Sequence, residues 1–521
     1  MSLNATSLAA AVGSSVQNVQ FKSSAQNLPR KILIIGTHLP SAVGVEVEKP
    51  IRVLSAEDAG GRFGFGSMIE RLAYQAFLGS NGVETWVCPQ AEASGAVAAS
   101  GGVDFTNSAN VLSGTLYLYL ANYPVPVNIP AGASGADIAT AVAAAVNALS
   151  YLPVTAAVDG TITGEVNFTS KSKGPWGNAI TIAFNVGAGQ TLPYGVVTII
   201  DAMSGGAGVP AITDALDGLG TGDDANSDWF TDVVHGYGLD SVTLDAIVTY
   251  VGLGDTTSGL YSKTVARPFR ALTGDTEPGS SGLNALTSLS GNRLQDRANG
   301  IIAVPGSMSH PSEIAAQAIG AMAMINQDRA AQHYLGIALV GIDPGTHANR
   351  WTSDYDNRDI AVKSGISPTR VIAGQVYLQN VVTFYRPTNV PVSSNGYRSM
   401  RNISIIQNML YNIQMNFSQP KWQGVSIVAD CAAVSSTIDR QKARDIDSVI
   451  DDLMALAISF ESMAWIFEAA FTINQLKVPG AVSIRAGGIG FNNVLSVILS
   501  GEGGILDTQI QFDTSLAVLT A

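Results

Sequence analysis

The stretch GGRFGFGS at residues 60–67 comes nearest, of anything in the chain, to a phosphate-binding loop. It follows the apolar run IRVLS and precedes MIERLAYQAFLG, whose apolar residues recur at helical spacing. Gly61 and Gly66 stand at the separation of the two glycines in G-x-x-x-x-G-K-[ST]. In that motif backbone N–H groups cradle the phosphates, a lysine reaches the outer ones and a hydroxyl holds Mg²⁺. Here Ser67 follows Gly66 directly, so the lysine is missing, and Arg62 and Phe63 stand where small residues are expected. The residues therefore read as a glycine-rich turn packing Phe63 and Phe65 against a neighbour.

Other stretches fall short in similar ways. Asp224, Asn226 and Asp228 have the opening spacing of a calcium loop, but its sixth position is Trp229 and its twelfth is His235. An acidic, solvated helix start is the better reading. AGGIGFNN, at 486–493, lacks a βαβ context and reads as a turn. The histidines at 38, 235, 310, 333 and 347 are scattered, and none sits in a G-x-S-x-G or H-E-x-x-H pattern. Cys88 and Cys431 are far apart in apolar surroundings and read as buried free thiols, since a disulfide framework or zinc site needs more ligands at closer spacing. No catalytic, cofactor-binding or metal-binding residue is assigned, and the chain is not expected to be an enzyme.

Composition narrows the function classes. The chain has 521 residues, enough for several domains. Charged residues make up 13%, about half the usual share of roughly 25%, while 46% are hydrophobic. That balance suits a protein whose surface is covered by copies of itself or by partners. The net charge is −13 and no Lys/Arg cluster is present, which argues against nucleic-acid binding. No apolar run approaches the roughly 18 residues of a membrane span. The first twenty residues lack a basic n-region and a long apolar core, so a secretory signal is not expected, and a soluble protein of a reducing compartment is.

The fold class expected is α/β and α+β multidomain. Residues 1–29 read as an extended arm with Val16, Val19 and Phe21 as its bulky members. Over 30–93 the chain alternates strands, at 32–35, IRVLS and 83–88, with a helix at 69–78. Residues 94–204 read as an inserted α+β domain. In it, a hairpin is expected to turn at Asn122 and Tyr123, and an Ala-rich helix to start near Ser134 or Asp137. Residues 205–345 return to αβ alternation. DWFTDVVHGYGLD, DSVTLDAIVTYVGLG and the long segment after His310 are expected as helices, and GIIAVPG and IALVGI as strands. The span 346–504 contains strands, a helix with Ile403, Ile406, Met409, Leu410 and Ile413 on one face, and a second helix from about 444. At 505–521, Ile510 and Phe512 alternate with polar residues and Leu516 and Val518 follow, which reads as a strand with one wet face. Two strand-like ends of this kind would fray or aggregate in a monomer but can add to a sheet edge on another copy.

Taken in order, these stretches resemble the contractile tail sheath proteins of bacteriophages, most of all those of Mu-type phages. The resemblance is carried by PIRVLSAEDAGGRFGFGSMIERLAYQAFLGSNGVETWVCP, by the insertion around SGTLYLYLANYPVPVNI, and by RDIAVKSGIS through YRSMRNISIIQNMLYNI. It implies a subunit of the virion tail, assembled in the host cytoplasm. Its partners would be itself, the inner tail tube protein, and baseplate and tail terminator proteins. Such subunits stack as rings, usually hexameric, linked by terminal arms. Contraction, started from the baseplate, drives the tube through the host envelope on free energy stored in subunit interfaces, with no cofactor or nucleotide. For this sequence the resemblance implies arms at 1–29 and 505–521 and an outward-facing insertion at 94–204. It also implies a C-terminal core facing the tube, with Arg398, Arg401, Arg440, Lys442 and Arg444 as candidate tube contacts. The alternatives are another self-assembling tail or surface protein, or a nucleotide-binding α/β enzyme.

Overall fold

The structure, a computed structural model, describes residues 25–220, 228–255, 257–386 and 395–502. These fall into two units. The larger takes Asn27–Tyr411 with Gly501 and Glu502, and the smaller takes Asn412–Ser500 with Ala25 and Gln26.

In the larger unit, β1 (Lys31–Thr37) is the apolar run at 32–35, with every residue of that run fully buried. After β2 (Ile51–Val53) come α1 (Ala56–Phe63) and α2 (Met68–Ser80), and then β3 (Glu84–Gln90). The chain next builds β4 (Ser100–Asp104), β5 (Gly114–Leu120), β6 (Tyr123–Ile129) and α3 (Gly135–Ala148). It continues through β7 (Val154–Val158), β8 (Glu165–Ser170), β9 (Ile182–Phe184) and β10 (Ile199–Ser204). These strands form two antiparallel sheets, ordered β10-β4-β8-β7 and β6-β5-β9. A capping box between Ser134 and Asp137 starts α3.

Alternation then resumes with α4 (Ile212–Gly218), β11 (Asp232–His235), α5 (Ser241–Val251) and β12 (Arg270–Asp275). Next come α6 (Gly279–Gly291), β13 (Asn299–Ala303) and α7 (Pro311–Asp328). The series closes with β14 (Ala338–Leu339), α8 (Tyr355–Lys363), β15 (Ser367–Ile372) and β16 (Gln375–Leu378). The main sheet runs β14-β16-β15-β13-β12-β11-β1-β3-β2, parallel from β15 through β3. Parallel strands need cover on both faces, and their continuous apolar runs reflect it. Part of that cover is a close crossing of α2 and α7. A Cβ on Gly79 would lie 2.2 Å from Gln317 O, and one on Gly320 would lie 2.5 Å from Ala76 O, so only glycine permits this approach.

Residues of α9 (Met400–Phe417) belong to both units. The smaller unit adds β17 (Ser426–Ile427), α10 (Thr437–Lys442), β18 (Ala443–Arg444), α11 (Ile446–Ser462), α12 (Ala469–Leu476), β19 (Val482–Ile484) and β20 (Phe491–Asn493). Among the described residues its named strands pair as β17 with β18 and β19 with β20.

Several local expectations change. DWFTDVVHGYGLD contains strand β11 rather than a helix, because Asp232 is not solvated but buried against Arg270. The hairpin turns on Ala121 and Asn122, both at positive φ, one residue earlier than expected. IALVGI contributes only the two residues of β14. Gly60 and Gly61 are helical, as the last turns of α1, and only Gly64 and Gly66 form the turn. Cys88 is buried, as expected, but Cys431 is only partly so; neither is in a disulfide. Asp228 starts no helix and instead pairs with Lys31 ahead of β11, while Asp224 and Asn226 lie outside the described residues.

Candidate assembly site

The glycine turn already has an occupant, which is the chain itself. Ser67 caps α2, accepting from the Glu70 N–H at 3.1 Å. Gly66 sits at φ +78°, and a Cβ built there would lie 2.2 Å from Leu152 O and 2.8 Å from Lys171 Nζ. Lys171 donates to Ser150 O at 2.6 Å and to Phe65 O at 3.4 Å, and the Met68 N–H donates to Ser172 Oγ at 3.0 Å. The ammonium group absent from the motif is thus supplied from β8's end, but it binds carbonyl oxygens. Phe63 is buried, whereas Phe65 is 42% exposed and lies over Gly60.

Beneath the turn is a buried polar cluster. Arg71 Nε donates to Glu313 Oε1 at 3.3 Å, and its guanidinium lies 4.0 Å from the centre of the Tyr123 ring. Gln75 Nε2 donates to Glu313 Oε2 at 3.3 Å and to Tyr123 Oη at 3.0 Å, and Tyr123 Oη donates to Glu313. Glu70 accepts from the Gly66 N–H at 3.2 Å. Burial pushes the Glu70 carboxyl up to about 7, against the opposing pull of Arg71 and of the Gly66 N–H. Because the folded pKa exceeds the unfolded one, the folded state binds more protons between those values. Stability should therefore fall as pH rises through the window from about 4.5 to about 7. Replacing Glu70 with Gln should flatten that part of a Tm-against-pH curve; an unchanged slope would show that Glu70 does not titrate there.

The smaller unit has an open groove. Phe417, Trp422, Val425, Ile427, Ile489 and Phe491 line a cavity of about 710 Å³. Phe417 and Trp422 meet edge to face at 5.2 Å, and Trp422 meets Phe491 at 6.3 Å. Trp422 is fixed from behind, because its Nε1–H donates to Asp452 Oδ2 at 2.8 Å. That carboxylate also accepts from Lys421 at 2.7 Å and Asn416 at 3.1 Å. Burial alone would raise the Asp452 pKa, but these donors hold it below the ordinary carboxylate value. Beside the groove, among the described residues, β17 pairs with β18 and β19 with β20, each strand having one sheet partner. Ile489 is 80% exposed in the turn between β19 and β20, and Val494 is 63% exposed just after β20.

The chain leading into β1 is held by amides from α9. In the smaller unit the Gln26 N–H donates to Asn412 Oδ1, and Asn412 Nδ2 returns a bond to Gln26 O, both at 2.8 Å. The Ala25 N–H donates to Ser459 Oγ. In the larger unit the Leu28 N–H donates to Asn408 Oδ1 at 2.7 Å, and Arg30 donates to Gln407 and Ser404. So α9 is not apolar on one face and wet on the other: Ser404, Gln407 and Asn408 are buried alongside Ile403 and Met409, while Ile406 is only partly buried. At the other end, Glu502 accepts from Ser399 and lies 3.3 Å from His333. These are the roots of both expected arms. Val16, Val19, Phe21, Ile510, Phe512, Leu516 and Val518 lie outside the described residues.

The expected tube contacts divide between the units. Arg398 and Arg401, in the larger, point donors at the chain's own carbonyls of Val362 and Ala331, and burial lowers both pKa values. Arg440, Lys442 and Arg444 are brought together in the smaller. They donate to carbonyls of Val434, Gln423 and Lys421, and Arg444 stacks 5.6 Å from the Trp422 ring. Trp422, Asp452, Ile489 and Phe491 had no signature in the sequence, because isolated aromatics and aliphatics gain meaning only when the fold groups them. The amide stripe of Ser404, Gln407, Asn408 and Asn412 did carry a readable signal, in polar residues at helical spacing.

Among the described residues no helix is long and apolar enough to cross a membrane, and no three His, Cys, Asp or Glu side chains could hold a metal ion. No family model matches the chain. Over 392 residues it is 23% identical to the Mu-like prophage FluMu tail sheath protein of Haemophilus influenzae, covering 75% of each chain. Among solved structures it is similar to a sheath tail protein of Listeria innocua, with 12% identity, TM-score 0.45, and coverage of 92% of this chain and 94% of that one. It is also similar to a sheath complex of an extracellular contractile injection system in the contracted state, with 9% identity, TM-score 0.46, and coverage of 98% and 99%.

Proposed function

We propose that this chain, a homologue of a Mu-like prophage tail sheath protein, is itself the structural subunit of a contractile tail sheath. The observation that carries this reading is the identity spread over 392 residues. The subunits polymerise as stacked hexameric rings around an inner tail tube, between baseplate and terminator, and contract to drive the tube through the host envelope. Residues 1–29 and 505–521 link neighbouring copies, the 94–204 insertion faces outward, and the 346–504 core faces the tube. Free energy stored in subunit interfaces powers contraction, and no nucleotide takes part.

The groove of the smaller unit is suited to receive such an arm. Among the described residues its two short sheets have strands paired on one side, beside an apolar floor of Trp422, Phe417 and Phe491. In the sequence, Ile510 and Phe512 alternate with polar residues, the pattern of an added strand with one apolar side to match such a floor. Main-chain bonding along the edge supplies affinity, and the pockets supply register.

Electron microscopy of the purified protein tests the reading. Tubules or rings of regular width are expected. Deleting residues 1–20, or replacing Ile489 with Glu, should leave a folded subunit that no longer polymerises. If the deleted protein still forms sheaths, strand exchange through that arm is wrong. A monodisperse monomer that binds ATP would overturn the sheath reading itself.

A further inference from the structure

The larger unit contains a cationic cavity apart from the arms and from the candidate tube contacts named above. Arg350, Arg358 and Arg370 converge with His347, Thr352 and Ser353 on a space of about 270 Å³. Arg350 precedes the short turn Trp351–Ser353, Arg358 lies on α8 and Arg370 on β15, so three separate elements each bring an arginine to the cavity lining. Three arginines with largely buried side chains sit against carboxylates: Arg71 meets Glu313, Arg270 meets Asp232, and Arg293 meets Asp296. Here, among the described residues, none of the three arginines has an ion pair. Arg350 Nη2 donates to Gly345 O at 2.9 Å and Arg358 Nη1 to Thr352 O at 2.6 Å, which fixes both side chains. The Nε atoms of both are nevertheless buried without a partner. A buried donor with no acceptor is costly and calls for an explanation.

Electrostatics point the same way. Burial lowers the Arg358 pKa, and the like charge of Arg370 lowers it further, although Asp354 and Tyr355 pull upward. Guanidinium forks match the planar, bidentate geometry of carboxylate and phosphate oxygens. An oxyanion in the cavity would satisfy the free donors and relieve the repulsion together. The chain carries 41 acidic against 28 basic residues, so a second copy presents many carboxylates to such a socket.

We propose that this cavity is an oxyanion-binding site, filled in the assembled protein by a side-chain carboxylate of a second copy of this chain. The site stands independently of the sheath reading, while its occupant rests on that reading. Free phosphate shares the same chemistry and is the other source to distinguish.

Two measurements on the full chain decide it. The first compares melting in sodium phosphate with melting in sodium chloride at equal ionic strength. A saturable rise in Tm is expected for the unmodified protein. The rise should vanish in Arg358→Gln and in Arg370→Gln; Arg370 is exposed, so its variant folds even where the other does not. No rise in the unmodified protein, or an equal rise in Arg370→Gln, overturns the site. The second measures sedimentation of assembled protein. Arg370→Glu should raise the concentration needed for assembly by about tenfold or more, a change on the order of 1.4 kcal/mol, and phosphate should inhibit unmodified assembly. If phosphate raises Tm but neither change affects assembly, the ligand is a free anion and the carboxylate of a second copy is overturned. A protein that never assembles refutes the sheath reading, and the melting comparison still judges the site.

Discussion

Gly66→Ala should destabilise the protein markedly, whereas Gly61→Ala, five residues away, should not. Gly66 holds φ +78°, and the left-handed conformation costs an alanine roughly 1–2 kcal/mol. The added methyl carbon would also lie 2.2 Å from a backbone oxygen, that of Leu152, which no side-chain rotation can relieve. Either the turn or the 150–153 segment must move, and with it the bonds from Lys171 to Ser150 and from Met68 to Ser172. Gly61 is helical, and nothing lies within 4 Å of where its Cβ would be. Alanine there removes a helix-interior glycine and should gain about 0.5–1 kcal/mol. The denaturant midpoints of the two variants, measured side by side, check this. Equal midpoints would mean that the turn does not close on Leu152. Added ATP should move neither.

The second large effect concerns Arg270. Its guanidinium, wholly buried in the larger unit, donates to Asp232 at 2.7 Å, to Asn326 at 2.8 Å and to Met400 O at 2.9 Å, and it also reaches Tyr334. Asp232 in turn accepts from Thr231 Oγ1 at 2.6 Å. Arg30, close enough to feel both charges, is lowered by burial to about 10, with Asp232 pulling up and Arg270 down. Replacing Arg270 with Met would strand the Asp232 carboxylate between β1 and β12, and breaking a buried pair in this way costs about 3–5 kcal/mol. The double variant Arg270→Met with Asp232→Leu removes both charges and should recover much of the loss. Denaturation of the three variants gives the coupling directly. If the double variant is as unstable as the sum of the singles, the two groups do not act as a pair.

Much of the architecture was legible in local pattern. The unbroken apolar run at 32–35 marks a strand covered on both faces, and the small residues after His310 mark a helix that packs closely, because burial and periodicity are written residue by residue. The missing lysine after Gly66 was equally legible, since a motif is a matter of adjacent residues. What could not be read locally depends on partners distant in the chain. DWFTDVVHGYGLD holds a central strand because Arg270, on a neighbouring strand, buries and neutralises Asp232, a contact no local pattern shows. The polar residues of α9 show at helical spacing, but what they bind shows only once Gln26 is set against Asn412 and Leu28 against Asn408. Trp422, Ile489 and Phe491 become a groove, and Arg350, Arg358 and Arg370 a socket, only after chain segments far apart are folded together. A residue's type and neighbours set whether it favours helix, strand or turn. Which charges are neutralised, which donors stay open and which apolar surface is left uncovered are properties of contacts between segments, and those exist only in three dimensions.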